Sequence, residues 1–305
     1  MNRPSPAGLV HSIQARLKNA AHETGRPFAE LLELFAVERF LHRLGRSEHR
    51  ERFVLKGALL LRHWLGIHTR PTRDIDLLGS ADMNVERLHG LLRELLLVEV
   101  EDDGIEFQLD SITVRSIRVE SPVLGLRAKF DAQLGRARLR YQVDVGLGDA
   151  VFPPAESVVP GGLLGFPMAS VRAYTPYTTV AEKLEAIVEL GEANSRLKDY
   201  YDLALLPRAL AFDGPTLVES IRRTFARRAT AVPPEPLEGL SDAFAQSALN
   251  TGRWRAFLEK GGLKAASPDL CETVAGIRRF AQPALNAARE GRSLVEHWPP
   301  GGPWR

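Results

Sequence analysis

Residues 54–79, VLKGALLLRHWLGIHTRPTRDIDLLG, decide how this chain folds. A short apolar run ends at a Lys-Gly pair, and a helix-like segment and a basic turn follow before the pentapeptide DIDLL at residues 74–78. As a strand this pentapeptide alternates, so Asp74 and Asp76 point to one face and the apolar residues to the other. The stretch therefore predicts a strand that carries two carboxylates on its polar face.

Two carboxylates side by side need a nearby cation or a shared proton at neutral pH. A hard divalent ion such as magnesium binds one or two carboxylates together with substrate phosphates. A glycine that opens a short helix can hold those phosphates. The alternative is a surface turn whose aspartates pair with Arg70 and Arg73, because structural ion-pair networks also contain perturbed carboxylates.

The composition is that of an ordinary globular protein with 305 residues, 44% hydrophobic and 26% charged, enough for two domains or one large one. A formal charge of +2 gives no global basic field, so any contact with nucleic acid needs a local patch. The single cysteine, Cys271, excludes an intrachain disulfide and fits a cytoplasmic protein. No signal peptide and no membrane span are expected.

The pattern along the chain predicts two domains. Helices are expected over residues 6–46 and 84–97, and short strands between residues 98 and 149. The strand RYQVDVGL, residues 140–147, places Asp144 on its polar face. A Pro/Gly-rich stretch then marks a boundary, which gives an N-terminal domain of helices plus an α/β core at residues 1–155. A mostly helical domain follows at residues 156–305, with an irregular tail from residue 297.

A helix is predicted over residues 179–190, TVAEKLEAIVEL, capped by Thr178 or Thr179. Lys183 lies on its apolar side and its glutamates on the opposite face. The next helix, which begins near residue 196, turns Asp199 and Asp202 inward. One interpretation is a buried ion pair between Lys183 and Asp199 that fixes helix packing. The other is that Lys183 reaches an anion.

Arginine clusters occur in the helices that follow, and each is expected to be a solvated helix face. If they share one side of the molecule, they can meet RNA phosphates. They are Arg222, Arg223, Arg227, Arg228, Arg253, Arg255, Arg278 and Arg279.

Four segments in order resemble a known family: FVLKGALLL, RPTRDIDLLG, YQVDVGLGD and VAEKLEAIVELGEANSRLKDYYDL. They are similar to the motifs of the AbiEii/AbiGii-type nucleotidyltransferase toxins of bacterial type IV toxin–antitoxin systems, which include the MenT toxins. The resemblance runs from about residue 53 to residue 206. It implies an α+β fold, a DNA polymerase β-like nucleotidyltransferase core with a C-terminal helical domain.

The resemblance also implies roles in the first two motifs. Lys56 and Gly57 would contact the nucleotide phosphates, with Arg73 beside the nucleotide. Asp74 and Asp76 match the metal-binding acids. Many members read Gly-Gly-Thr or Gly-Ser where this chain reads Gly-Ala-Leu, residues 57–59, so a hydroxyl contact to phosphate is missing here.

In the later motifs, Asp144 matches the position of a third acid, which would bind metal and activate the acceptor. Lys183 matches the lysine expected on the triphosphate. Asp199 matches the acid of the fourth motif, which would orient Lys183 or the base.

The activity implied by the resemblance is transfer of a nucleotidyl group from an NTP to an acceptor hydroxyl with Mg²⁺. The implied acceptor is the 3′ end of tRNA, whose modification blocks translation, and a protein hydroxyl is the second possibility. The implied partner is a cognate antitoxin encoded alongside, which need not bind the toxin. Two other classes stay open: a nucleotide-binding regulator that transfers nothing, and an interaction protein in which Lys183 and Asp199 only pack helices.

Overall fold

The computed structural model describes residues 6–66, 69–120, 123–235 and 237–305. The chain divides into two compact units. The first consists of Met1–His63, Pro71–Gly148 and Glu156–Ala173, and the second of Trp64–Arg70, Asp149–Ala155 and Tyr174–Arg305.

The first unit is built on one mixed sheet of seven strands. The strand order is β3-β4-β5-β2-β1-β7-β6, in which β1–β7 and β2–β5 are parallel pairs and the other neighbours are antiparallel. Strand β2 therefore lies in the middle of the sheet, between β5 and β1. The strands are β1 (Val54–Lys56), β2 (Asp74–Gly79), β3 (Ile105–Glu120), β4 (Val123–Leu134), β5 (Ala137–Leu147), β6 (Glu156–Val158) and β7 (Val171–Ala173).

The helices of this unit follow the predicted apolar patterns. The side chain of Asn84 caps α4 by accepting a hydrogen bond from the Arg87 backbone N–H at 2.8 Å. The hydroxyl of Tyr141 donates to the Ala36 carbonyl of α2 at 2.9 Å, and its ring stacks on Phe130 with centroids 4.8 Å apart. These contacts place the core between the sheet and the helices. The helices are α1 (Pro6–Thr24), α2 (Phe28–Arg46), α3 (Ala58–Leu65, whose last two residues fall in the second unit) and α4 (Val85–Leu96).

The strands of residues 98–149 are longer than the sequence predicted. In place of short strands, β3, β4 and β5 run for 16, 12 and 11 residues. Residues 156–173, which the sequence placed in the C-terminal domain, fall in the first unit because β6 and β7 pair within its sheet. The α4 helix and the inward alternation of β5 agree with the prediction.

The second unit is mostly helical, with a two-stranded sheet of β8 (Phe212–Asp213) and β9 (His297–Trp298). Its first helix begins earlier than predicted, because the side chain of Thr175, rather than that of Thr178 or Thr179, provides the cap. The helices are α5 (Pro176–Leu190), α6 (Leu197–Ala209), α7 (Gly214–Arg228), α8 (Asp242–Gln246), α9 (Ala248–Gly261) and α10 (Leu270–Glu290).

The tail that the sequence predicted to be irregular is folded back and packed. The indole N–H of Trp298 donates to the Pro207 carbonyl at 2.8 Å, and the Trp304 ring stacks on Phe280 with centroids 5.8 Å apart. Residues 299–305 have no regular secondary structure, as predicted, and only His297–Trp298 form a short strand. The packing of the tail was not predicted, because Pro and Gly mark turns but do not show that the aromatic residues between them are buried. Across the described residues, no helix combines the length and apolar character that a bilayer crossing needs.

Candidate functional site

A row of charged residues crosses five neighbouring strands of the first unit. Lys56 on β1 lies opposite Asp76 on β2, and Asp76 lies opposite Asp144 on β5. Asp144 lies opposite Arg127 on β4, which lies opposite Arg115 on β3. Residues directly opposite one another share a face, and adjacent strands lie about 4.8 Å apart. We call these five residues the charged row.

Asp74 adds a second carboxylate to the same face of β2. Ile75 and Leu77, on the other face, are 0% and 1% exposed, whereas Asp74 is exposed and Asp76 is half-buried. The predicted alternation of this strand is confirmed. The structure thus brings together Asp74, Asp76 and Asp144, which lie up to 70 residues apart in sequence (144 − 74).

Gly57 lets the main chain approach Asp76 closely. Its φ of +74° is one that residues with a side chain rarely adopt. A Cβ atom at this position would lie 2.8 Å from both Cβ and Cγ of Asp76 and would overlap its carboxylate. Only glycine therefore fits here, and α3 begins at the next residue. Ala58 and Leu59 are 2% and 7% exposed.

Asp144 is held by an arginine that the sequence did not indicate. Nε and Nη2 of Arg127 donate to the two carboxylate oxygens of Asp144, each at 2.7 Å, and the Gln142 amide donates to the same carboxylate at 3.5 Å. This bidentate hydrogen bond raises the pKa of Arg127 above its ordinary value. Asp144 is 8% exposed. A single arginine on the polar face of a strand carries no signal in the sequence, because such residues usually face solvent.

Arg73, predicted beside the nucleotide, forms an ion pair with a glutamate of α2. Its side chain is 75% exposed, and its Nε lies 2.7 Å from the carboxylate of Glu33. Within the described residues, the structure does not bring Arg73 into the charged row.

The second unit has its own charged centre around Lys183. Nζ of Lys183 donates to Asp199 and to Asp202 at 2.7 Å each. Arg70 reaches Asp202 through two hydrogen bonds of 3.1 and 3.2 Å, and Nε of Arg196 lies 3.0 Å from Asp199. We call these five residues the lysine cluster. The pair with Asp199 is one of the two interpretations that the sequence left open, whereas the contact of Asp202 with the same ammonium group was not predicted.

Burial and ion pairing oppose each other in the lysine cluster. Burial alone would lower the pKa of Lys183, but the carboxylates of Asp199 and Asp202 raise it above its ordinary value. Burial alone would raise the pKa of Asp202, but Lys183 and Arg70 lower it. Both groups therefore stay charged at neutral pH.

A second buried ion-pair group corrects the prediction for Arg228. Arg228, expected on a solvated helix face, is 4% exposed and pairs at 2.7 Å with Glu185, which is 1% exposed. Arg228 also lies 3.2 Å from Asp149 and 3.3 Å from Glu182. The projection of a single helix could not show this, because α7 packs against the face of α5 that carries the glutamates.

A different group meets the spacing of a metal site. Among the described residues, Glu48, His49 and Glu94 place three possible ligand atoms within 4.8 Å of one another. Both glutamates are exposed, and the His49 ring nitrogen already lies 2.6 Å from Glu94. An imidazole ligand suits transition metals better than magnesium. The oxygen-only pair of Asp74 and Asp76 fits magnesium.

The architecture is that of nucleotidyltransferases. MenT4, a nucleotidyltransferase toxin from Mycobacterium tuberculosis H37Rv, is 18% identical with a TM-score of 0.51, over 90% of this chain and 99% of that one. A Helicobacter pylori protein provisionally identified as a nucleotidyltransferase is 15% identical with a TM-score of 0.49, over 87% of this chain and 98% of that one. The likeness to MenT4 confirms the α+β fold with a nucleotidyltransferase core and C-terminal helices.

The sequence profile of the nucleotidyl transferase AbiEii toxin family, of the type IV toxin–antitoxin systems, matches residues 39–276. The chain belongs to this family of toxin nucleotidyltransferases. No curated protein sequence matches the chain. The match to residues 39–276 confirms the family resemblance and extends beyond the four motifs, which run from about residue 53 to residue 206.

Proposed function

We propose that this protein transfers a nucleoside monophosphate from an NTP to the 3′ end of tRNA and so blocks translation. The observation that carries the proposal is the charged row, in which register places Asp76 between Lys56 and Asp144 and beside Asp74. In the reaction, the acceptor oxygen bonds to the α-phosphorus and the bond from that phosphorus to the β-phosphate oxygen breaks. Pyrophosphate and one proton are released.

Asp74 and Asp76 are the residues proposed to hold magnesium, because both are oxygen ligands on one face of β2. When bound, the ion supplies charge stabilisation to the triphosphate and the attacking oxygen. Lys56 and Gly57 are proposed to contact the nucleotide phosphates, since they lead into the N-terminus of α3. Arg73 is proposed to contact the nucleotide from its exposed position.

Lys183 is proposed to contact the triphosphate, with Asp199 and Asp202 orienting its ammonium group. Two carboxylates at 2.7 Å fix the position of Nζ, and its raised pKa keeps it charged at neutral pH. A fixed positive charge is suited to an anion whose charge grows during phosphoryl transfer.

A basic groove in the second unit supports an RNA acceptor. It has a cavity volume of about 580 Å³ and is lined by residues 195–198 at the start of α6 and by Arg253, Ala256 and Phe257 of α9. Lys198 and Arg253 are exposed and have no ion-pair partner in the described part of the chain. The half-buried ring of Phe257 on α9 packs edge-on against Tyr201, with centroids 6.0 Å apart. Cations that flank an aromatic ring bind single-stranded nucleic acid by phosphate contact and base stacking.

The decisive experiment incubates the protein with total tRNA, magnesium and each α-labelled NTP in turn. We expect label on tRNA from one nucleotide, and a loss of at least a hundredfold in Asp76→Asn. The matched control is Asp110→Asn, an acid on β3 whose side chain is fully exposed. Equal labelling by Asp76→Asn and the control contradicts the proposal. If the label appears on protein and not on tRNA, the acceptor is a protein hydroxyl.

The groove is tested with the double variant Lys198→Gln/Arg253→Gln. Its affinity for tRNA should fall, and the slope of log affinity against log salt should decrease by about one for each cation removed. Arg255→Gln/Arg279→Gln removes two exposed cations from the same unit outside the groove lining. Equal loss in both double variants would mean non-specific attraction and would remove this support.

A nucleotide-binding regulator is the second candidate. It is favoured by Leu59, which is buried and has no hydroxyl to offer a phosphate. This candidate predicts that an NTP raises the melting temperature while no pyrophosphate is released from any of the four NTPs.

A further inference from the structure

Asp144, the acid of the charged row on β5, is paired with an arginine of the neighbouring strand β4. Both oxygens of Asp144 accept hydrogen bonds of 2.7 Å from one guanidinium, and the carboxylate is 8% exposed. The family resemblance predicts a metal ligand at this position. The contacts show a carboxylate whose charge is already matched by a cation of the protein.

We propose that Arg127 withdraws Asp144 from metal binding, so that Asp74 and Asp76 alone form the metal-binding pair. This inference rests on the proposed function for the identity of the metal-binding pair. Arg127 acts as a positioning residue, which holds a fixed positive charge in the row next to the two metal-binding acids.

Electrostatics explains why the guanidinium and a metal ion exclude each other at Asp144. A magnesium ion coordinates oxygen at about 2.0–2.1 Å. A second cation on either oxygen of Asp144 would therefore lie within a few ångströms of the Arg127 nitrogens, in a partly buried site where charges are weakly screened. Displacement of Arg127 would in turn leave its guanidinium without the bidentate partner that raises its pKa.

The pairing of β4 with β5 holds Arg127 against Asp144. Arg127 and Asp144 lie directly opposite each other in the β4–β5 pairing, which continues without interruption from Gly125 to Leu134. Arg115 lies on the far side of Arg127, so a like charge faces the guanidinium on the strand away from Asp144. The arginine is thus attracted to Asp144 and repelled from the opposite side.

The test is Mn²⁺ titration of the full chain without nucleotide, followed by the loss of the free-Mn²⁺ signal in electron paramagnetic resonance. We expect one ion per chain for the wild-type protein and at least tenfold weaker binding for Asp76→Asn. The double variant Arg127→Gln/Asp144→Asn removes the pair as a neutral unit. Its dissociation constant should stay within threefold of the wild-type value.

The single variants separate release of Asp144 from a general change of charge. Arg127→Gln frees Asp144 and should tighten Mn²⁺ binding at least tenfold or add a second ion. Arg115→Gln removes the same charge one strand further away and should change binding by less than threefold. If the double variant does not fold, Arg127→Lys replaces it; that lysine cannot bind both oxygens, so binding should tighten at least threefold.

Three results would overturn the inference. One is a double variant that binds Mn²⁺ at least tenfold more weakly than wild type, since Asp144 would then be a ligand. Another is an Arg127→Gln protein that cannot be distinguished from Arg115→Gln, or an Arg127→Lys protein with unchanged affinity. The third is absence of binding by both the wild-type protein and Arg127→Gln. The expected binding pattern without any nucleotidyl transfer would instead leave the inference standing and refute the proposed function.

Discussion

Replacement of Gly57 by alanine should impair nucleotidyl transfer far more than it impairs folding. An L-residue in the left-handed region costs about 1–2 kcal/mol. In addition, Cβ and Cγ of Asp76 would have to move from 2.8 Å to the 3.4 Å of an ordinary contact, a shift of about 0.6 Å. Since a misplacement of about 1 Å at a catalytic group can cost a hundredfold, we expect a rate loss of about ten- to a hundredfold.

The matched control is Gly25→Ala. Gly25 lies in the same unit and has a φ of +68°, but a Cβ atom there meets nothing within 4 Å. Both variants should therefore lose a similar amount of stability in urea unfolding, whereas only Gly57→Ala should lose transfer activity and Mn²⁺ affinity. If Gly57→Ala retained the activity and metal affinity of Gly25→Ala, the close approach to Asp76 would not matter and the reasoning would be wrong.

Three further variants test charges and packing elsewhere. Lys183→Met leaves Asp199 and Asp202 with one arginine each, and urea unfolding should show a loss of about 3 kcal/mol. Burial raises the pKa of Glu38 from 4.5 to about 7, so the contribution of Glu38 to the free energy of unfolding should fall as pH rises from 4.5 to 7 and level off above that. Glu38→Gln should lack this fall, so its free energy of unfolding relative to the wild type should rise by about 3 kcal/mol at most between pH 4.5 and pH 8 in urea unfolding. A variant whose pH profile runs parallel to that of the wild type contradicts the prediction. Trp298→Ala empties a packed site and removes a hydrogen bond, and should cost about 3–5 kcal/mol by thermal unfolding, whereas exposed Val295→Ala should cost almost nothing.

The sequence predicted those parts of the site that depend on periodicity within one element. Alternation in β2 placed Asp74 and Asp76 on one face, and the helical projection of α5 turned Lys183 inward. Both depend on local geometry that the chain repeats every two or 3.6 residues. The family resemblance then assigned these separate positions to the motifs of one family.

The missed residues are those whose partner lies on another element. Arg127 is matched to Asp144 only by the register of β4 against β5, and Arg228 reaches Glu185 only because α7 covers α5. The sequence contains each residue but not the pairing, and an unpaired arginine is normally solvated. The helical pattern turns Asp202 inward, but it does not show that Asp202 accepts a hydrogen bond from Arg70, which lies more than a hundred residues earlier in the chain.

The charged row also has a consequence for folding. Because side chains alternate between the two faces of a strand, a slip of one residue in β1, β2, β4 or β5 would turn a charged side chain into the apolar core. Lys56, Asp76, Asp144 and Arg127 therefore discriminate against misaligned pairings as well as lying at the proposed site. Asp76 lies opposite both Lys56 and Asp144, so its strand has a charged partner on each side. A neutral substitution in the charged row should therefore lower the refolding yield, because chains with misaligned sheets would accumulate as aggregates.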